Sequence, residues 1–146
     1  MKYNRIVVLG LLILVILALG SCQTPLVNIE RGTGELATVS RSVEDFNSVR
    51  LEGTGRLLIT QGEVEALEIV AEENILDELT SEVVGNTLVL GFKERPWNKT
   101  IIPTQSITYH LAVIDLAKIT LNGAGIVNID EFEAEKIALT INGASQ

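Results

Sequence analysis

The residues of this sequence that could perform chemistry are carboxylates, one histidine, one cysteine and one tryptophan. Paired carboxylates can hydrolyse glycosides or bind calcium when they converge on one cleft. The acidic pairs here have the appearance of solvated turn residues: Glu72/Glu73, Asp77/Glu78, Asp130/Glu131 and Glu133/Glu135. Asp130, Glu131 and Glu133 form the best calcium candidate, although a weak one, because they lack the spaced ligands of a calcium loop.

The sequence lacks most of the residues that metal, nucleotide and nucleophile sites require. His110 is the only histidine and Cys22 the only cysteine, which disfavours a transition-metal cluster or a histidine-based triad. The Gly-x-Gly segments at 53–55 and 123–125 lack a third glycine and lead into strands, whereas phosphate binding needs a helix N-terminus. The sequence therefore predicts no catalytic residue, no cofactor and no enzymatic activity.

Trp97, the only tryptophan, lies in an irregular segment that also contains Pro96 and Pro103. An exposed tryptophan on a polar loop can contact a sugar or a protein. The same ring can equally cap the end of the fold, and the sequence does not decide between the two. Trp97 is the candidate ligand contact.

The N-terminal segment predicts export. Lys2 and Arg5 precede an apolar run at residues 6–19, which is typical of a secretory signal and shorter than the about 20 residues of a membrane-spanning helix. Leu19-Gly20-Ser21-Cys22 resembles the lipobox of bacterial lipoproteins. We therefore expect cleavage before Cys22 and attachment of lipid to its thiol, with acyl chains that hold the protein at a membrane.

These observations divide the chain into three parts. Residues 1–21 are the expected lipoprotein signal peptide, 22–40 a tether without a sustained period, and 41–146 a β domain. The formal net charge of −8 argues against nucleic acid or anionic lipid as electrostatic partners. The expected partners are the membrane through the Cys22 lipid, a polysaccharide or another envelope protein, and further copies of the chain.

Apolar and polar residues alternate in short runs from Val43 onward, with Gly, Asn, Asp and Pro between the runs. This period of two predicts half-buried strands and an all-β fold. One stretch, near residues 74–80, departs from the alternation. It predicts a short helical turn that is capped by Asn74 and directs Leu76 and Leu79 inward.

One segment of the sequence is repeated. Residues 120–124, TLNGA, return twenty positions later as TINGA at 140–144, and residues 49–55 resemble both. A fixed period near twenty predicts the coils of a parallel β-helix, in which glycines occupy corners too tight for a Cβ. The expected stacked pairs are Leu121 with Ile141, Asn122 with Asn142 and Gly123 with Gly143, and further corners lie at Gly53, Gly55 and Gly125. The alternative is a β-sandwich with two similar hairpins.

A longer pattern resembles a known family. Phe46, Val49, Leu51, Gly53 and Gly55 form F-x-x-[IV]-x-[LV]-x-G-x-G, and a similar series begins at 116. Over about residues 38 to 146 this series is similar to the putative auto-transporter adhesin, head GIN domain family (DUF2807). The resemblance implies a right-handed parallel β-helix-like, all-β fold behind a secretion or lipoprotein signal, without a defined activity. Family members usually continue with further coils, so the chain is expected to match the front portion of the domain.

The leading interpretation is a non-enzymatic cell-envelope lipoprotein that presents flat strand faces to a surface ligand. A self-assembly module that pairs through exposed end strands is the first alternative, and a polysaccharide-processing enzyme is the second.

Overall fold

The computed structural model describes residues 27–130, 132 and 136–143. Its strands are β1 (Asn28–Arg31), β2 (Leu36–Arg41), β3 (Ser48–Gln61), β4 (Ala66–Glu72), β5 (Leu79–Val84), β6 (Thr87–Phe92), β7 (Lys99–Ile102), β8 (Thr108–Val113), β9 (Lys118–Asp130) and β10 (Ala138–Gly143). A single turn of helix, α1 (Glu73–Leu76), follows β4. The prediction of an all-β fold is confirmed.

The long strand β3 organises the main sheet, whose strand order is β10-β9-β3-β8-β4-β2. It pairs in parallel with β9 along almost its whole length, with β6 near its start and with β8 near its end. Antiparallel pairs join β4 to β8, β2 to β4 and β5 to β6. Strands β1 and β7 form a separate parallel pair.

Alternation along the strands produces the core. In β3 the odd-numbered side chains Val49, Leu51, Leu57 and Ile59 are buried, and each contributes about 1.5–3 kcal/mol through removal from water. The ring of Tyr109 is fully buried among them. Burial raises the pKa of its hydroxyl.

The inward glycines of β3 leave room for aromatic rings. A Cβ on Gly55 would lie 3.0 Å from the ring of Tyr109, and one on Gly53 would lie 3.6 Å from the ring of Phe92. Both glycines have positive φ, at +107° for Gly53 and +156° for Gly55, within one continuous strand. The sequence predicts that Gly53 and Gly55 form corners between separate strands. In the structure both lie inside the single strand β3, where they distort its backbone.

The three similar segments stack on one another in register. β3 pairs Gly53 with Gly123 of β9, and β9 pairs Gly123 with Gly143 of β10. A Cβ on Gly123 or on Gly143 would overlap the backbone carbonyl of the glycine on the neighbouring strand. Beside this glycine stack, Asn142 Nδ2 donates to Asn122 Oδ1 across 3.0 Å. The stacking that the twenty-residue spacing predicts is present.

The twenty-residue step does not extend to the rest of the sheet. Ser48 of β3 pairs with Lys118 of β9, seventy positions later, because strands β4 to β8 and α1 intervene. The described residues therefore form one mixed eight-stranded sheet and the separate β1–β7 pair, and not a solenoid of uniform coils. Leu139 and Ile141 are 57% and 46% exposed, so β10 does not extend the core as the predicted inward stack requires.

Two predicted boundaries also differ from the structure. The segment expected to be a tether up to residue 40 contains β1 and β2, which pair with β7 and β4. Helix α1 begins at Glu73 and not after a cap at Asn74, whose side chain bonds the Arg31 carbonyl and the Thr33 N–H instead. Ile75 is the buried residue of the turn, Leu76 is only half-buried, and Leu79 is buried as the first residue of β5.

Candidate functional site

Trp97 lies at the surface, in the loop of residues 93–98 that joins β6 to β7, hereafter the Trp97 loop. Its side chain is 79% exposed. The loop is ordered by a turn in which the Lys99 N–H donates to the Pro96 carbonyl across 2.9 Å. At its base, the guanidinium of Arg95 stands 4.9 Å from the centre of the Phe92 ring, an arrangement that favours a cation–π contact. The indole is thus free to contact another molecule.

Strand β1 fastens the Trp97 loop to the start of the described chain. The Asn28 N–H donates to the Asn98 carbonyl across 2.7 Å, directly beside Trp97. Lys99 Nζ lies 3.1 Å from Glu30 Oε2 on β1 and 2.8 Å from Glu78 Oε1, which precedes β5. Hydrogen bonds to Glu78 and Glu30 raise the pKa of Lys99. This cation ties the small β1–β7 sheet to the body of the domain.

Glu72 is the buried charged residue among the described ones. Its Oε1 accepts from the Gly34 N–H at 2.7 Å and the Thr104 hydroxyl at 2.5 Å. Its Oε2 accepts from the backbone N–H groups of Thr104 at 2.7 Å and Gln105 at 3.2 Å. Burial alone would raise the pKa of Glu72, but hydrogen bonds from Thr104, Gln105 and Gly34 outweigh it and lower that pKa.

Glu72 therefore joins the end of β4 to two surface loops. Gly32 is packed so closely that a Cβ there would overlap the carboxylate. The sequence analysis groups Glu72 with solvated turn carboxylates, and the structure corrects this. No local pattern identifies the site, because the donors lie 32 to 38 positions away in the sequence.

The outer face of the main sheet carries a shallow groove of about 490 Å³. Ala66 of β4 and Ala112 of β8 are register partners on the outer face, next in sequence to the buried Leu67 and Leu111. They form the floor of the groove. Polar groups surround the floor: Ser40, Arg41, Ser42, Thr60, Glu65, Glu68 and His110. The guanidinium of Arg41 is held by the carbonyls of Leu79 and Leu76 at 2.9 and 3.0 Å.

The other predicted site residues lie apart from Trp97. Asn122, Asn142 and the stacked glycines belong to β3, β9 and β10, whereas the Trp97 loop adjoins β1. His110 is exposed on the outer face, opposite Glu68 in the β4–β8 register.

Part of the predicted chemistry falls outside the described residues. Asp130 is exposed at the end of β9, but its proposed calcium partners Glu131 and Glu133 lie outside that part of the chain, as does Cys22. Within the described residues, no group of three His, Cys, Asp or Glu side chains is placed to hold a metal ion. Among the same residues, no helix has the length and apolarity to cross a membrane.

The chain matches one family model, described as "Putative auto-transporter adhesin, head GIN domain", over residues 45–146. No protein of curated function matches it.

Solved structures have a similar fold. A putative adhesin from Bacteroides fragilis aligns with a TM-score of 0.64 and 21% identity over 79% of this chain and 53% of its own. A putative adhesin from Parabacteroides merdae aligns with a TM-score of 0.59 and 19% identity over 80% of this chain and 55% of its own. A protein from Parabacteroides distasonis, described as a putative lipid binding protein, aligns with a TM-score of 0.57 and 21% identity over 69% of this chain and 44% of its own. The chain thus spans about half the length of these proteins.

Proposed function

Because the chain belongs to the head GIN domain family of putative auto-transporter adhesins, we propose that it is a non-enzymatic surface protein of the bacterial envelope. Its ligand is an extended polymer, a polysaccharide or a strand of another envelope protein, that lies along the outer face of the main sheet. The family and the similar structures support the fold and an adhesin-like surface role.

The groove on the outer face is the observation that carries this proposal. It is an open groove of about 490 Å³ that runs over the paired strands β4 and β8, a shape that suits an extended ligand. The small side chains of Ala66 and Ala112 allow a flat ligand to approach the strands closely. The hydroxyls of Ser40 and Thr60 at its margin can exchange hydrogen bonds with sugar hydroxyls or with peptide groups.

Filling the groove floor should weaken binding. We expect Ala112→Arg to weaken binding to the recognised polysaccharide by about tenfold or more, a loss of about 1.4 kcal/mol. Since the side chain points outward, the core stays intact. The measurement is co-sedimentation of the protein with a panel of insoluble bacterial polysaccharides.

Val84→Arg is the matched control for this experiment, because it adds the same charge at an exposed position on the β5–β6 hairpin. Equal losses for both variants, or unchanged binding by Ala112→Arg, would contradict the assignment of the groove. Release of soluble sugar from any polysaccharide would instead support the enzymatic alternative.

We also propose that a lipid on Cys22 anchors the protein to a membrane of the envelope. The support is the position of Cys22 directly after the apolar run of the signal. Cys22→Ser is expected to abolish incorporation of labelled palmitate and to move the protein from the membrane fraction to the soluble fraction. Ser21→Ala is the control, because alanine keeps a small residue before the cysteine. Unchanged label on Cys22→Ser would refute the anchor.

Self-assembly is the second candidate, and the geometry of β10 favours it. Among the described residues β10 pairs with β9 alone and exposes Leu139 and Ile141. An exposed strand of this kind is a template for pairing with another chain. We propose that the β3-β9-β10 stack is β-helix-like and right-handed, so that a further strand could add to it in the same register.

A further inference from the structure

We propose that the Trp97 loop docks on the surface of the lipid bilayer, with the indole of Trp97 inserted at the level of the headgroups. The docking face consists of Trp97, Val27 and Ile29, together with the basic residues Lys93 and Arg95. This inference rests on the lipid anchor proposed above, and it gives the anchored domain a defined orientation.

The first reason is the place at which the chain enters the domain. Strands β1 and β7 are parallel, so both begin at the same end of the small sheet. The hydrogen bond from the Asn28 N–H to the Asn98 carbonyl fixes Trp97 at that end. Any tether to Cys22 must leave from Val27, immediately beside the loop.

The second reason is the length of the tether. Cys22 precedes Val27 by five positions. A fully extended chain spans at most about 3.6 Å per residue, so about 18 Å is the longest separation that the tether permits. A lipid on Cys22 would therefore hold this end of the domain within reach of the headgroups.

The third reason is the chemistry of the exposed side chains. Trp97, Val27 and Ile29 are 79%, 58% and 54% exposed. Tryptophan is enriched at membrane–water interfaces, because its ring is apolar while its N–H can remain hydrogen-bonded. Lys93 and Arg95 in the same loop offer cations to lipid phosphates, with Glu94 as the one acidic residue between them.

The fourth reason is that contacts within the domain already order the Trp97 loop, so it does not need to fold when it meets the bilayer. The Lys99 ion pairs with Glu30 and Glu78 fix the strands on which the loop stands. The stacking of Arg95 on Phe92 and the turn at Pro96 order the loop itself. A preformed exposed ring loses little conformational entropy on insertion, which favours docking over a loose tether.

The fluorescence of Trp97 tests this inference directly, since the chain has one tryptophan. The lipidated protein, purified from a bacterial host, is reconstituted into phosphatidylcholine vesicles with and without bromine on the acyl chains. We expect the emission to shift to shorter wavelength in vesicles and to be strongly quenched by the brominated lipid. Emission that stays at its aqueous wavelength and remains open to iodide would overturn the proposal.

A matched variant controls for nonspecific contact. Trp97→Phe combined with Val84→Trp moves the probe to the tip of the β5–β6 hairpin, at the far end of β6 from the Trp97 loop. The six residues of β6 span about 20 Å at about 3.3 Å each. Bromine should leave this second probe unquenched. Equal quenching of both probes would mean that the domain has no preferred orientation, and would overturn the proposal.

Failure of the anchor and failure of the docking are separable. The mass of the N-terminal peptide reports whether Cys22 carries lipid, independently of fluorescence. If it carries none, coupling the Cys22 thiol to a maleimide-bearing lipid supplies the anchor, and the same quenching measurement then decides the docking. An emission shift on addition of polysaccharide, without one in vesicles, would assign Trp97 to a sugar contact instead.

Discussion

Replacing Glu72 with alanine is expected to lower the free energy of unfolding by at least about 3 kcal/mol, because each of the three N–H donors left without its partner costs about 1–3 kcal/mol. The change removes the acceptor of four hydrogen bonds and leaves the N–H groups of Gly34, Thr104 and Gln105 without that partner. Denaturant unfolding of the purified protein measures the loss.

Glu73→Ala is the control for Glu72→Ala. It removes the same charge from the adjacent residue, which is exposed in the first turn of α1. We expect it to change the free energy of unfolding by no more than about 0.5 kcal/mol, as for most surface substitutions. Similar losses in the two variants would show that Glu72 acts through net charge and not through its hydrogen bonds.

The stabilisation by Glu72 also depends on pH. Its hydrogen bonds lower its pKa in the folded protein below the ordinary value of 4.5. The stabilisation is therefore complete above the pKa of the unfolded chain and is lost as the pH falls through the lower, folded pKa. The difference in unfolding free energy between the native protein and Glu72→Gln should accordingly be constant near neutral pH and shrink below pH 4.5.

Gly123→Ala is expected to lower the free energy of unfolding by about 4 kcal/mol. Gly123 has φ of +134°, a conformation that costs a residue with a side chain about 2 kcal/mol. Its new Cβ would also overlap the Gly53 carbonyl on β3, and displacing packed backbone costs about 2 kcal/mol more. Thermal unfolding monitored by circular dichroism measures the effect.

Gly34→Ala separates these two contributions. Gly34 has φ of +86°, but no heavy atom lies within 4 Å of the position that a Cβ would take, so the substitution meets strain without overlap. A loss of about 1–2 kcal/mol is expected there. If Gly123→Ala costs no more than Gly34→Ala, the close approach of β3 and β9 at the glycine stack is not what requires glycine.

Sequence reasoning succeeds for the stacked strands because identical residue types occupy equivalent positions. TLNG at 120–123 and TING at 140–143 share their threonine, asparagine and glycine, and the register places them side by side. The same reasoning fails for β1 and β2, which occur in the stretch interpreted as a tether. Their outward residues Ile29 and Leu36 are apolar yet exposed, so alternation is weak, and their partners lie far along the chain.

Glu72 and the inward glycines could not be assigned from the sequence for a related reason. The local sequence around a carboxylate at a strand end is the same whether water or N–H groups from distant parts of the chain surround it. Glycine in a strand pattern likewise suggests a corner, whereas Gly55 lies opposite the ring of Tyr109 in an unbroken strand. In both cases the deciding neighbour belongs to another part of the chain.

The pairing of β3 with β9 also bears on how fast, and when, the protein folds. Contacts between residues seventy positions apart require a large loop to close before they contribute, so a sheet built on them forms slowly. An emerging chain whose N-terminus appears first cannot complete its central strand until residues 118–130 have followed. For the exported lipoprotein proposed above, slow formation of the sheet leaves the polypeptide unfolded for longer, and an unfolded chain is the form that can be translocated.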